Sequence, residues 1–183
     1  MGKKVLVPIA DGCEEIETAC IVDVLRRAGA SVTVASVGTL QVTAARGMKL
    51  VADKFMSECV KNTYDLIVLP GGMPGAENLR DSKELVEMLK WQQQNGKLYA
   101  AICASPAVVL QHHGLLKGRK ATAYPSFAGL LENSEEIDSR VVVDGNCITS
   151  RSPGTAIEFS LTLVKILYGE QTATEVANAM LVG

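Results

Sequence analysis

Apolar residues recur along this chain in two rhythms. Short blocks rich in Val, Ile, Leu and Ala read as strands over 4–9, 31–37, 65–69, 97–103 and 120–124. Between them, apolar positions three and four apart predict helices over 14–28, 82–94, 105–113, 153–168 and 170–181. Gly29 and Gly96 follow two of these helices as stop signals. Residues 42–51 read as a short excursion of hairpin type. A second hairpin joins 140–143 to 147–149 through Asp144-Gly145, a strong turn signal. The 153–168 helix is apolar nearly all round, which predicts deep burial. Strands alternating with helices imply an α/β fold, a mostly parallel sheet sandwiched between helices. Sites in such sheets lie beyond the carboxyl ends of the strands. Gly12, Gly71-Gly72 and Cys103 all fall there.

Composition narrows the class. The 183 residues are 48% hydrophobic, with no low-complexity stretch, repeat or linker, so one ordered domain over 1–183 is expected. Net charge is −2 and the basic residues are scattered, which disfavours nucleic acid and anionic membranes as partners. No apolar run is long enough to span a bilayer. Met1-Gly2-Lys3-Lys4 leads straight into a strand without a signal-peptide core, and Leu6 breaks a myristoylation motif at Gly2. The 5 cysteines are odd in number and lack CxxC spacing, which argues against disulfides or a zinc site and fits a reducing cytoplasm.

The candidate chemistry centres on Cys103. It follows the strand 97–103 and precedes Ser105-Pro106, which reads as a helix N-cap with proline at the first helical position. Small Ala101, Ala104 and Ser105 leave room for a sharp strand-to-helix elbow that presents the sulfur. Amides opening the next helix then favour thiolate. A buried structural cysteine fits the same pattern. On the 14–28 helix, Glu14 and Glu15 complement the helix dipole, and Glu15 lies opposite the apolar stripe. Glu17 lies mid-stripe, among Cys13, Cys20, Ile21, Val24 and Leu25. A carboxylate there must be neutral, partnered, or both. It reads either as a proton carrier for the thiol or as a structural hydrogen bond at the helix start. Cys13 and Cys20 read as packing. His112 and His113 close the helix after Cys103, roughly 13 Å along its axis, so an intrachain Cys-His triad is excluded.

The segments 10–18, 68–72, 100–104 and 149–155, in this order, resemble the ThiJ/PfpI superfamily, in its DJ-one branch of parkinsonism-associated deglycase and bacterial homologues. The resemblance covers essentially the whole chain. It implies a flavodoxin-like sandwich and a homodimer. It implies that Cys103 is the reactive, readily oxidised cysteine and Glu17 its hydrogen-bonded carboxyl partner. Gly71, Gly72, Ala104, Tyr124 and Arg46 match the family's pocket, with the Gly72 and Ala104 amides forming an oxyanion-like site and Arg46 at the dimer contact. Two positions depart from the pattern. Tyr124 stands where a better-known member carries histidine, so it can only hydrogen-bond. Ala104 replaces the histidine of the protease branch, which disfavours peptidase activity.

Three functions follow as expectations. The first is a glutathione-independent glyoxalase or deglycase, needing no metal or cofactor, that acts on methylglyoxal, glyoxal or glycated protein through a Cys103 thiohemiacetal. The second is a redox sensor or chaperone using Cys103 oxidation. The third, thiazole monophosphate biosynthesis, lacks a phosphate-binding glycine loop.

Overall fold

The computed structural model describes residues 2–133 and 135–182. Its centre is a seven-stranded sheet. The strands in chain order are β1 (Lys4–Ile9), β2 (Ser31–Ser36), β5 (Lys54–Phe55), β6 (Leu66–Leu69), β7 (Leu98–Ile102), β8 (Val141–Asp144) and β9 (Cys147–Ser150). Their spatial order is β5-β2-β1-β6-β7-β9-β8, parallel except for β8 at one edge. A separate antiparallel ribbon pairs β3 (Gln41–Thr43) with β4 (Lys49–Val51), the hairpin expected over 42–51.

Strand side chains alternate between two cores, as the pleat requires. Val5, Val7, Ile9, Val68, Ala100, Ile102 and Ile148 face one layer. That layer holds helices α1 (Glu15–Arg27), α5 (Ala156–Tyr168) and α6 (Glu170–Ala179). Leu6, Ile67, Leu69, Tyr99 and Ala101 face the other. There α2 (Gly75–Asp81), α3 (Lys83–Gln94) and a π-helical segment, Pro106–Gln111, cover the sheet. The sandwich is therefore flavodoxin-like. Each fully buried Leu or Ile contributes about 1.5–3 kcal/mol.

Four expectations change. Residues 120–124 form no strand. The β8–β9 hairpin already occupies the sheet edge beside β7. Lys120 N–H donates to the Asp144 carboxylate (2.8 Å) and Thr122 N–H to Thr149 Oγ1 (3.0 Å), so no ladder forms. The helix over 105–113 shortens to the π-helical Pro106–Gln111. The 153–168 helix begins as a tight 3-10 turn, Pro153–Thr155, before α5. It is also buried on one face only, leaving Ile157 and Ile166 partly exposed. Helices α2 and α4 (Pro125–Ala128) have no counterpart in the sequence reading, because each is too short to show helical periodicity.

Candidate active site

Cys103 stands at the end of β7 with φ +66°, a left-handed backbone uncommon for a non-glycine residue. Its N–H donates to the Ser150 carbonyl (3.0 Å) and its carbonyl accepts from Tyr124 N–H (2.8 Å). These bonds to β9 and to the start of α4 hold the elbow on both sides. Ser105, expected as an N-cap, instead has helical backbone and makes no cap bond. Its buried hydroxyl donates to the Pro70 carbonyl (2.6 Å), tying the elbow to the loop after β6. Cys103 itself is 8% exposed.

Glu17 is fully buried on α1. One oxygen, Oε2, accepts from Gly71 N–H (2.8 Å). The other, Oε1, is buried without a hydrogen-bond partner, and the Cys103 thiol interacts with the carboxyl. Burial pushes Glu17 up to about 7, against the downward pull of the Gly71 amide and the Cys103 thiol. Burial first, and then the Glu17 charge, push Cys103 up to about 12, against the pull of the Gly72 and Ala104 amides. The expectation of a thiol lowered by peptide dipoles is thus corrected. The dipoles act on the sulfur, but desolvation and the neighbouring acid outweigh them. Between about pH 7 and about 12 one proton is left to the two groups, and it lies on the sulfur unless the thiol passes it to Glu17. A thiolate exists in that range when the proton sits on Glu17.

Glycine makes this closeness possible. A Cβ on Gly71 would lie 2.6 Å from the Cys103 Cβ. A Cβ on Gly72, itself at φ +86°, would lie 2.5 Å from Glu14 N. Gly75 and Gly12 pack equally close where the β1–α1 and β6–α2 loops cross. Glu14 N–H donates to the Gly71 carbonyl (2.9 Å) at the same crossing. The glycine and proline density of 70–75 was the available signal for a close backbone approach.

The structure therefore brings Cys103, Glu17, Gly71, Gly72 and Ala104 together. Tyr124 adjoins them through its backbone, with its ring 40% exposed. Arg46 is exposed on the β3–β4 hairpin; its backbone N–H donates to Glu15 Oε1 (2.9 Å). Glu15 is consequently buried beneath that hairpin, not facing solvent as its position on α1 predicted. Glu14 caps α1 by accepting from Glu17 N–H (2.9 Å). His113 packs against α2, with Nε2 at 2.8 Å from the Arg80 carbonyl, which keeps it apart from the sulfur. Among the described residues, no cluster of three His, Cys, Asp or Glu is placed to hold a metal.

An α/β sandwich with a cysteine–carboxyl pair at the carboxyl edge of its sheet defines a flavodoxin-like protein. A profile of the DJ-1/PfpI family matches residues 3–166. The chain belongs to that family. It is 54% identical to the Arabidopsis thaliana protein DJ-1 homolog B over 98% of its length, spanning 41% of that relative. It spans 46% of Arabidopsis DJ-1 homolog A, so it covers under half of either plant protein. It is 38% identical to the Caenorhabditis elegans glutathione-independent glyoxalase DJR-1.2, covering 91% of this chain and 89% of that one. The solved structure of oxidized Toxoplasma gondii DJ-1 superposes with a TM-score of 0.96 at 51% identity, covering 98% of both chains.

Proposed function

We propose that the chain is a glutathione-independent glyoxalase and deglycase acting on small reactive carbonyls, methylglyoxal, glyoxal and early glycation adducts. The observation that carries this reading is the Cys103–Glu17 pair, with the Gly72 and Ala104 amides directed at the same sulfur. A 38%-identical relative named a glutathione-independent glyoxalase supports it. The thiolate adds to the aldehyde carbon of methylglyoxal, and the carbonyl oxygen takes the proton from Glu17. The resulting oxyanion is met by the Gly72 and Ala104 amides before protonation. Glu17 then removes the former aldehyde hydrogen as a proton and returns it to the adjacent carbon, while the thiohemiacetal hydroxyl proton passes to the adjacent oxygen. This internal redox step leaves a thioester of lactate. Water hydrolyses the thioester, freeing lactate and the thiol. The sum is methylglyoxal plus water to lactate, with no external oxidant.

The test follows methylglyoxal loss without glutathione, with lactate as product. Cys103→Ala is expected to fall to the uncatalysed background. Glu17→Gln is expected to lose 10²-fold or more, roughly the weight of a positioned acid–base group. Wild type no faster than Cys103→Ala overturns the reading.

A second reading, oxidation sensing, draws on the oxidized state named for the Toxoplasma structure. Peroxide would take Cys103 to sulfenate and then sulfinate, with Glu17 donating a hydrogen bond to the product. Mild peroxide should add two oxygens at Cys103 alone; equal oxidation of Cys13 or Cys59 contradicts it. We further propose a homodimer through α1 and the β3–β4 hairpin, where Ile16, Met48 and Val51 (70% exposed) leave apolar surface uncovered. Sedimentation at micromolar concentration tests that state. Five free thiols fit a reducing cytoplasm.

A further inference from the structure

Beside the elbow, Tyr124, Pro125, Arg140, Arg151, Ser152 and Thr155 enclose a recess of about 260 Å³. Two backbone bonds connect it to the reactive residue. Tyr124 N–H donates to the Cys103 carbonyl, and Cys103 N–H donates to the carbonyl of Ser150, the residue before Arg151.

The wall carries two guanidinium groups and no carboxylate. Each arginine has an acidic neighbour outside the recess. Arg140 Nε donates to Glu158 (2.6 Å) and its Nη2 to the Gly154 carbonyl (3.1 Å), and Arg151 Nη2 donates to Asp138 (3.3 Å). Asp138 is 90% exposed, so water screens the second pair heavily. Arg151 Nη1 donates to the Asp138 carbonyl (3.1 Å), but its Nε is buried and has no hydrogen-bond partner. A buried charged donor without an acceptor is unfavourable. Thr155 Oγ1 accepts from Arg151 N–H (3.3 Å) and Ser152 N–H (3.1 Å), and donates to the Ser152 carbonyl (2.9 Å). That single hydroxyl fixes the backbone from which Arg151 projects.

We propose that this recess is a subsite for an oxyanionic group, carboxylate or phosphate, carried by the substrate at a distance from the carbonyl that Cys103 attacks. The proposal rests on the carbonyl chemistry above and names its substrate class: aldehydes with a remote anionic end. Two guanidinium charges with no carboxylate in the wall favour either oxyanion. The phenol of Tyr124 adds an uncharged hydrogen-bonding group to this wall.

The experiment measures protection of Cys103 from iodoacetamide at constant ionic strength. Succinic semialdehyde is set against butyraldehyde, and glyceraldehyde 3-phosphate against glyceraldehyde. Wild type should be protected at about tenfold lower concentration by the charged member of at least one pair, the lower end for a charge-assisted hydrogen bond. The pair with the larger ratio identifies carboxylate or phosphate as the group. Arg151→Met should bring that ratio to about one, with butyraldehyde protection unchanged. Arg140→Met serves as the second variant should Arg151→Met fail to fold. A ratio of one in wild type overturns the proposal, as does a ratio that survives both substitutions. Wild type that fails to turn over methylglyoxal, yet keeps the protection ratio, sinks the turnover reading and leaves the subsite standing.

Discussion

Glu17→Gln isolates the electrostatic core of this protein. The carboxyl is fully buried and its ionisation is moved from an ordinary 4.5 to about 7, chiefly by desolvation. The folded state therefore holds the proton more tightly than the unfolded chain does. The sign follows directly. Stability is fully present below about pH 4.5 and is lost as pH rises towards and through 7, because the unfolded chain releases the proton first. The gap of about 2.5 pH units, at about 1.4 kcal/mol each, makes this loss ~3 kcal/mol between acid and pH 8. Glutamine keeps the acceptor for Gly71 N–H and carries no charge to desolvate. The variant should thus match wild type near pH 4.5 and exceed it by ~3 kcal/mol at pH 8, a rise in Tm of about 10 °C for a chain of this size. Urea unfolding at half-unit steps from pH 4.5 to 8, with reduced thiols and one protein concentration, reads the difference. Parallel stability curves for the two proteins would show that Glu17 ionises as it does in water, and the shared-proton account of the site would fall with it.

Three further outcomes follow from the same geometry. Alkylation of Cys103 should rise with pH around a midpoint near 7, the point at which the pair loses its first proton, and this step should vanish in Glu17→Gln; a midpoint near 9 in wild type contradicts coupling. Gly71→Ala places a methyl 2.6 Å from the Cys103 Cβ and should cost about 1–3 kcal/mol by overpacking, with thermal melts and carbonyl turnover falling together. Ser105→Ala removes the 2.6 Å bond to the Pro70 carbonyl; leaving that buried acceptor unpaired should cost about 1–3 kcal/mol and lower kcat more than it raises KM, whereas an unchanged melt and kcat would refute a positioning role.

Much of the architecture was readable from periodicity, because strands and long helices must place apolar side chains at fixed intervals to bury them. The strands at 4–9, 31–37, 65–69 and 97–103 and the helices α1, α3 and α6 lie within a residue or two of their expected bounds. The segment 120–124 misled because alternating small residues look the same whether their N–H groups meet a neighbouring strand or the side chains of Asp144 and Thr149. Glu15 misled for a related reason. A helical wheel fixes direction about the axis, not what folds over it, and the β3–β4 hairpin covers that side. Ser105 had the right chemistry for a cap, but its hydroxyl donates to the Pro70 carbonyl across the elbow instead of accepting from a helix amide.

The linear chain by itself determined the α/β sandwich, the elbow at Cys103 and the oddity of a carboxyl at Glu17 on an apolar stripe. Those are local matters of spacing, turn chemistry and solvation. Only the tertiary structure decided that Glu17 stands against Cys103, that burial and the neighbouring acid raise the thiol rather than lower it, and that Arg151 lines a recess beside the elbow. The reason is that desolvation and charge–charge coupling depend on what surrounds a group in space. The groups concerned come from β1–α1, β6–α2, β7 and β9, segments far apart in sequence that meet only when the sheet closes.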